Sequence, residues 1–358
     1  MSEGRLSKAA GDVAWLAEVT RAPEKVPRDK LRRLADVLLG PGAVAVKTRR
    51  EWTRHRQSLR AAWMKFLGPM PLRPISAGFE VLREDKLKRV RRQLIRYEAE
   101  AGQEVEAYLL FPVTPTDDRG PRPAIVALHQ TTRDTIEQIA GVKGPSMQQL
   151  GLQLAQRGFV VICPRNYLWQ NVARYTEAVE RFKGRHPGTL GMHKMLYDSQ
   201  RAVDILAGLP EVDAGRIGAT GHSLGGKETL YLAAFDERIA ASVASEGGVG
   251  FGFTNWNAPW YLGKGIDDET FPLNHHQLLA LAAPRPFLVL AGENTTPQAS
   301  DGDRTWPLLE AALPAWRLYG DRPRLGMYNH RQGHSIPPGA FARLHEWLAT
   351  YLRPRGTG

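Results

Sequence analysis

The chain has 358 residues, 42% of them apolar and 24% charged, and a formal charge of +11. That length holds one large or two ordinary domains with a sizeable core, and no apolar run is long enough to span a membrane. One cysteine, Cys163, excludes an internal disulfide and any cysteine-based metal cluster, and no nucleic-acid-binding signature accompanies the positive charge.

Met1 to Arg5 lacks the charged-then-apolar pattern of a secretory signal, so a cytoplasmic protein is expected. From Leu6 to about Leu67 apolar residues recur at helix spacing, in Val13–Leu16, Leu31–Leu39 and Trp52–Leu67. Pro23, Pro27 and Pro41 punctuate these runs, and Gly68–Pro74 reads as an extended connector. Residues 1–75 are therefore expected to form an N-terminal helical extension packed on a main domain, 76–358. The basic clusters Arg49-Arg50, Arg54-His55-Arg56 and Lys86–Arg96 alternate with apolar residues, as solvated faces do.

Beyond Phe79 the period changes. Arg89–Ala99 and Glu104–Phe111 alternate in the strand manner and predict an antiparallel pair. Ala124–Leu128 is a continuous apolar run of the buried-strand kind, followed by a helix near Met147–Gln156 and a strand at Phe159–Cys163. In that strand Cys163 reads as a buried thiol. An irregular stretch, Asn166–Gly191, precedes a helix over Lys194–Leu209. Further strands are predicted at Arg216–Ala219, Ile239–Ala244, Pro286–Ala291 and Leu325–Tyr328, with helices at Glu228–Phe235, Trp306–Ala312 and Ala340–Leu352. This alternation predicts an α/β fold with a mostly parallel, doubly wound sheet.

The chemistry centres on Gly221-His222-Ser223-Leu224-Gly225. Gly-x-Ser-x-Gly between a strand and a helix is a nucleophile elbow: a sharp turn that exposes the serine and leaves no room for side chains two residues either side. The P-loop alternative fails, because its glycine spacing and Lys-Ser/Thr pair are absent. A serine nucleophile needs a base, and the base an orienting acid, in the order serine, acid, histidine. His334, in the loop after the last strand, is the expected base, with His330 as the runner-up. Glu246, at the end of the strand Ile239–Ala244, is favoured as the acid, with Asp301 close behind; Asp301-Gly302-Asp303 also reads as a turn capping the next helix. Backbone amides of Leu224 and of Gln130 or Thr131 would form the oxyanion hole. His275-His276 is the only tight histidine pair, and adjacent residues do not share a helix face, so no metal site is expected.

His129–Thr132, Gly221–Gly226, Leu281–Phe287 and Gly333–Ser335 together resemble bacterial α/β-hydrolases of the acetyl-xylan-esterase and dienelactone-hydrolase-like group, with glucuronoyl esterases as relatives. The resemblance covers roughly Trp52–Leu352. It implies an eight-stranded mostly parallel sheet, a serine triad and ester hydrolysis without a cofactor, acting on a small acyl or carbohydrate-linked ester. In glucuronoyl esterases a glutamate acid occupies the position of Glu246, and a lysine four residues after the serine, here Lys227, contacts the sugar acid. Those enzymes place an arginine directly after the serine, where this chain has Leu224. Lys227 also reads as a helix-start residue paired with a local carboxylate. Trp256 and Trp260, in a lid-like insertion near 247–275, and His129 are further candidates for substrate contact. An amidase or peptidase would use the same triad, and a non-catalytic binding protein would use the same fold. The oligomeric state is not legible.

Overall fold

A computed structural model describes residues 11–27, 32, 34–40, 42, 44–74, 78–113, 120–294 and 298–353. One sheet organises them. Its strands are β1 Glu80–Leu87, β2 Val90–Glu100, β3 Gln103–Pro112, β4 Arg122–Leu128, β5 Val160–Pro164, β6 Val212–His222, β7 Ile239–Ser245, β8 Phe287–Ala291 and β9 Leu325–Asn329. The spatial order is β1-β2-β3-β5-β4-β6-β7-β8-β9. The first three strands run antiparallel, and β5 through β9 and β4 pair in parallel. The sheet thus has nine strands rather than eight. The additional one, β1, is an edge strand whose residues are mostly exposed, so Glu80–Leu87 carries no apolar alternation to betray it.

The helices are α1 Leu16–Val19, α2 Arg49–Leu67, α3 Thr135–Ile139, α4 Leu150–Ala155, α5 Tyr175–Arg185, α6 Gly191–Gly208, α7 Leu224–Phe235, α8 His275–Ala282, α9 Trp306–Arg317 and α10 Pro338–Tyr351. They lie on both faces of the sheet. Strand side chains alternate between the two cores: Ala124, Val126 and Leu128 of β4 join one, Ile125 and Ala127 the other. The first core gathers α2 and α5 to α9; the second gathers α1, α3, α4 and α10. α7 is buried all round, because it packs between α6, α8 and the sheet.

The N-terminal region differs in part from its sequence reading. Residues 1–10, Leu31 and Arg33 lie outside the described residues, as does the expected boundary at 75–76. Over 34–40 the chain forms turns and an antiparallel bridge, Leu39 to Ala45, instead of a helix. The Gly40 amide bonds back to the Val44 carbonyl, closing a turn that the Gly40-Pro41 pair favours. α2 is the long helix of this region, opened by a Thr48/Glu51 capping box. Its basic face is not simply solvated. Arg49, Arg56 and Arg60 donate to the carbonyls of Leu318, Leu281 and Phe235, at the C-terminal ends of α9, α8 and α7. Guanidinium groups there satisfy carbonyls that have no helical partner and oppose the negative ends of three helix dipoles. Trp63 anchors the same helix, stacking on His275 and donating to Gln277.

Residues 11–20 run along β9 and α10. Asp12 pairs with Arg324 at 2.6 Å, Val19 packs over Gly326, and Trp15 stacks on Trp347. The segment from 247 to 274 is packed into the first core rather than held above the sheet: Trp256, Tyr261, Leu262 and Ile266 are buried.

Candidate active site

β6 ends at His222 and α7 begins at Leu224, so Ser223 is the whole of the turn between them. Its backbone sits at φ 57°, ψ −113°, a conformation a non-glycine residue holds only where its surroundings impose it. The Ser223 amide donates to the Ser245 carbonyl of β7 at 2.8 Å, and its carbonyl accepts from the Lys227 amide at 3.1 Å. The flanking glycines are needed for space. A Cβ on Gly221 would lie 2.5 Å from the carbonyl carbon of Gly225, and one on Gly225 would run into the Leu128 carbonyl. Strain at one residue is thus held by the sheet on one side and the helix on the other.

Ser223 opens into a cavity of about 460 Å³ that His222, His334, Gln130 and Thr131 also line. The Leu224 amide, first in α7, has no acceptor within its helix and stands at the positive end of the dipole. His334 is partly exposed, and its Nδ1 donates to Oε2 of Glu246 at 3.2 Å. Glu246 is fully buried, at φ 53°, immediately past β7; its amide donates to the Leu290 carbonyl. The Ser300 amide also donates to Oε2, at 2.6 Å. Burial pushes the Glu246 carboxyl up, the His334 bond pulls it down, and neighbouring Asp301 pushes it up again.

Asp301 does not reach His334. It too is fully buried, and it accepts from the amides of Gly248 (2.6 Å) and Val249 (2.8 Å) and from the Thr305 hydroxyl (2.9 Å). It ties the loop after β8 to the loop after β7 and leads into α9. Asp303 accepts from Asn329 and Arg331. His330 turns into its own loop, where Nδ1 accepts from the Gln332 amide.

The sequence-predicted substrate contacts fall elsewhere. Lys227 is buried; its Nζ donates to the Gly247 carbonyl at 2.5 Å and to the Thr254 hydroxyl, and lies 4.2 Å from the Trp256 ring centre. Burial draws its pKa down to about 7, against the pull of Asp301. Trp256 is fully buried and donates to the Gly248 carbonyl. Trp260 packs edge-on against Tyr175 and Tyr261. None of the three lines the Ser223 cavity. Trp256 and Trp260 pack with the first core, whereas Ile139 and Leu150 of the cavity lining belong to the second.

His129 is also buried, and its role is architectural. Nδ1 donates to the Gln130 carbonyl at 2.8 Å, and Nε2 accepts from the Asn166 amide at 3.1 Å, with Asn166 Nδ2 donating to Glu228 at 2.9 Å. Burial lowers the His129 pKa to about 4, which keeps this tautomer neutral. The loop carrying the Gln130 amide therefore rests on a buried chain that ends at Glu228.

Burial raises the Glu228 pKa to about 8. A carboxyl whose pKa is higher folded than unfolded contributes stability fully present below the unfolded value and lost as pH rises through the folded one. Glu228→Gln keeps an acceptor for Asn166 but cannot ionise. Its Tm is therefore expected to gain steadily on wild type between about pH 5 and 8. Parallel thermal melts across that range check this; a pH-independent difference would refute it.

His222, unremarked in the sequence, packs tilted against His334 with ring centres 4.7 Å apart and bonds Ser245 Oγ through Nδ1 at 3.0 Å. Burial holds its pKa near 3, so it stays neutral beside the other imidazole. Among the described residues no group of three or more His, Cys, Asp or Glu is arranged to hold a metal ion.

Comparison with known proteins agrees with this architecture. The model of the dienelactone hydrolase family matches residues 105–284. A 4-O-methyl-glucuronoyl methylesterase of Phanerochaete carnosa is 28% identical over 165 residues, 38% of this chain and 40% of that protein. One of Hypocrea jecorina is 26% identical over 231 residues, 54% of this chain and 49% of that protein. This chain thus matches less than half the length of these relatives. Among solved structures, a glucuronoyl esterase from Solibacter usitatus superposes with a TM-score of 0.70 at 19% identity, covering 92% of this chain and 100% of that one. The sheet order, the elbow and these matches identify an α/β-hydrolase fold, and the chain belongs to the dienelactone hydrolase family.

Proposed function

We propose that the protein is a serine hydrolase of carboxylic esters, working through an acyl-enzyme on a carbohydrate-linked ester. One observation carries the reading: Ser223, held at positive φ at the start of α7, opens into the same cavity as His334, whose Nδ1 meets the buried Glu246. Ser223 Oγ attacks the ester carbonyl while His334 Nε2 takes its proton and then delivers it to the leaving alcohol. Glu246 fixes the imidazole with Nδ1–H toward itself, leaving Nε2 free to accept, and balances the charge that forms. The amides of Leu224 and Gln130 receive the oxyanion, each such donor being worth about 3 kcal/mol in the transition state. Water then repeats the cycle on the acyl-enzyme. The carbohydrate assignment is supported by the glucuronoyl esterases among its relatives. Leu224 and the buried Lys227 argue against copying their sugar contacts residue for residue.

Intact-mass labelling with a fluorophosphonate tests the scheme. Wild type is expected to gain one adduct and Ser223→Ala none. An unlabelled wild type, or a labelled variant, would overturn it.

A further inference from the structure

Three side-chain amides share the lining of the cavity with Ser223. Gln130, beside the oxyanion loop, donates through Nε2 to Gln138 Oε1 at 3.1 Å, and Gln138 donates through Nε2 to Gln148 Oε1 at 2.6 Å. Gln138, the middle member, is buried, so both neighbours fix its orientation; Gly144 closes over it from outside. The chain has a direction. A carbonyl oxygen is left over at Gln130 and an NH₂ at Gln148, so the wall offers acceptors near the serine and donors at the rim. Ile336, Pro337 and Pro338, at the start of α10, add an apolar surface to the same cavity.

What the cavity lacks is equally specific. In a chain with 24% charged residues, no Asp, Glu, Lys or Arg among the described residues lines it. Of the charges close by along the chain, Glu137 pairs with Lys143 and Arg331 with Asp303, while Arg133 and Asp134 stand outside the lining. The two histidines that do line it are His222, neutral, and His334, occupied with Glu246. An anionic group entering here would leave water without meeting a counter-charge, whereas a hydroxyl would find both a donor and an acceptor.

We infer that Gln130, Gln138 and Gln148 set the specificity of this site, selecting esters whose substituents are uncharged and hydroxyl-bearing and rejecting those that carry a free carboxylate or phosphate. The inference rests on the ester-hydrolase reading above. Amides present donors and acceptors at fixed spacing, and the apolar proline surface of the same cavity suits the C–H face of a ring.

The experiment compares two esters that differ only in charge: the 4-O-acetyl esters of methyl glucoside and of methyl glucosiduronic acid with its carboxylate free. Wild type is expected to favour the neutral ester in kcat/KM by at least about tenfold, the scale of one uncompensated charge at a partly screened site. Gln148 is exposed, so Gln148→Lys places a cation at the rim, at the cost of the acceptor that Gln138 uses. That variant is expected to narrow or reverse the preference. Equal or better turnover of the carboxylate ester by wild type, or an unchanged ratio in Gln148→Lys, would overturn the inference. Fluorophosphonate labelling of the same preparations separates the two failures. Absence of label removes the hydrolase reading and this inference with it, whereas normal label without charge preference removes only the inference.

Discussion

Glu246→Ala is expected to lower kcat/KM about ten-thousand-fold, the scale seen when the acid of such a triad is lost. The reason lies in tautomers. With Glu246 present, the Nδ1 proton of His334 has a buried acceptor at 3.2 Å, and Nε2 is left as the base. Without it, nothing distinguishes the two nitrogens, and the imidazolium formed on attack loses its counter-charge. The Ser300 amide, which shares Oε2, loses its acceptor too, so the loop after β8 loosens at the same moment. Steady-state kinetics on a short-chain p-nitrophenyl ester measure the loss, with circular dichroism to confirm the fold. A decrease of less than about tenfold would remove Glu246 from the role.

Asp301→Ala is expected to act on stability instead, costing about 3 kcal/mol, because three hydrogen bonds to a buried carboxyl vanish and Lys227 loses the pull of Asp301. Where the variant is folded, its kcat/KM is expected to exceed that of Glu246→Ala by about a hundredfold, since no bond to His334 has been touched. Urea unfolding gives the first quantity and kinetics below the transition the second. Unchanged unfolding, or activity as low as that of Glu246→Ala, would assign Asp301 a part in the chemistry.

The elbow and the parallel sheet are legible in the sequence itself. Ser223, its glycines and the strand and helix around it form one contiguous stretch whose sterics are local, and the parallel strands β4 to β9 announce themselves as short apolar runs. Glu246 and Asp301 stayed open as alternatives because the choice depends on how two loops fold toward each other, which no spacing encodes. Lys227, Trp256 and His129 stand as candidate substrate contacts in the sequence, Lys227 through the resemblance and Trp256 through its place in an insertion. Their buried hydrogen bonds, to Gly247, Gly248 and Gln130, exist only once the loops are closed. The glutamine chain was invisible for another reason. Its members come from a loop, from α3 and from a turn before α4, and α3 is too short for its periodicity to show. The arginines of α2 looked like a solvated face because their acceptors are the ends of helices more than a hundred residues away.

The placement of the cavity has a stereochemical consequence. The Ser223 cavity is lined from the loops after β4 and β9, from α3 and from the starts of α4 and α10, while Trp256 and Lys227 are buried outside it. On the proposed scheme, with the oxyanion amides at α7 and in the His129-propped loop, an ester carbonyl is expected to present one of its two prochiral faces to the nucleophile. A stereocentre beside that carbonyl must then turn its largest group either toward the amide wall or toward the prolines. Mirror-image acyl groups are therefore unequal to this protein before any of their polar atoms are read.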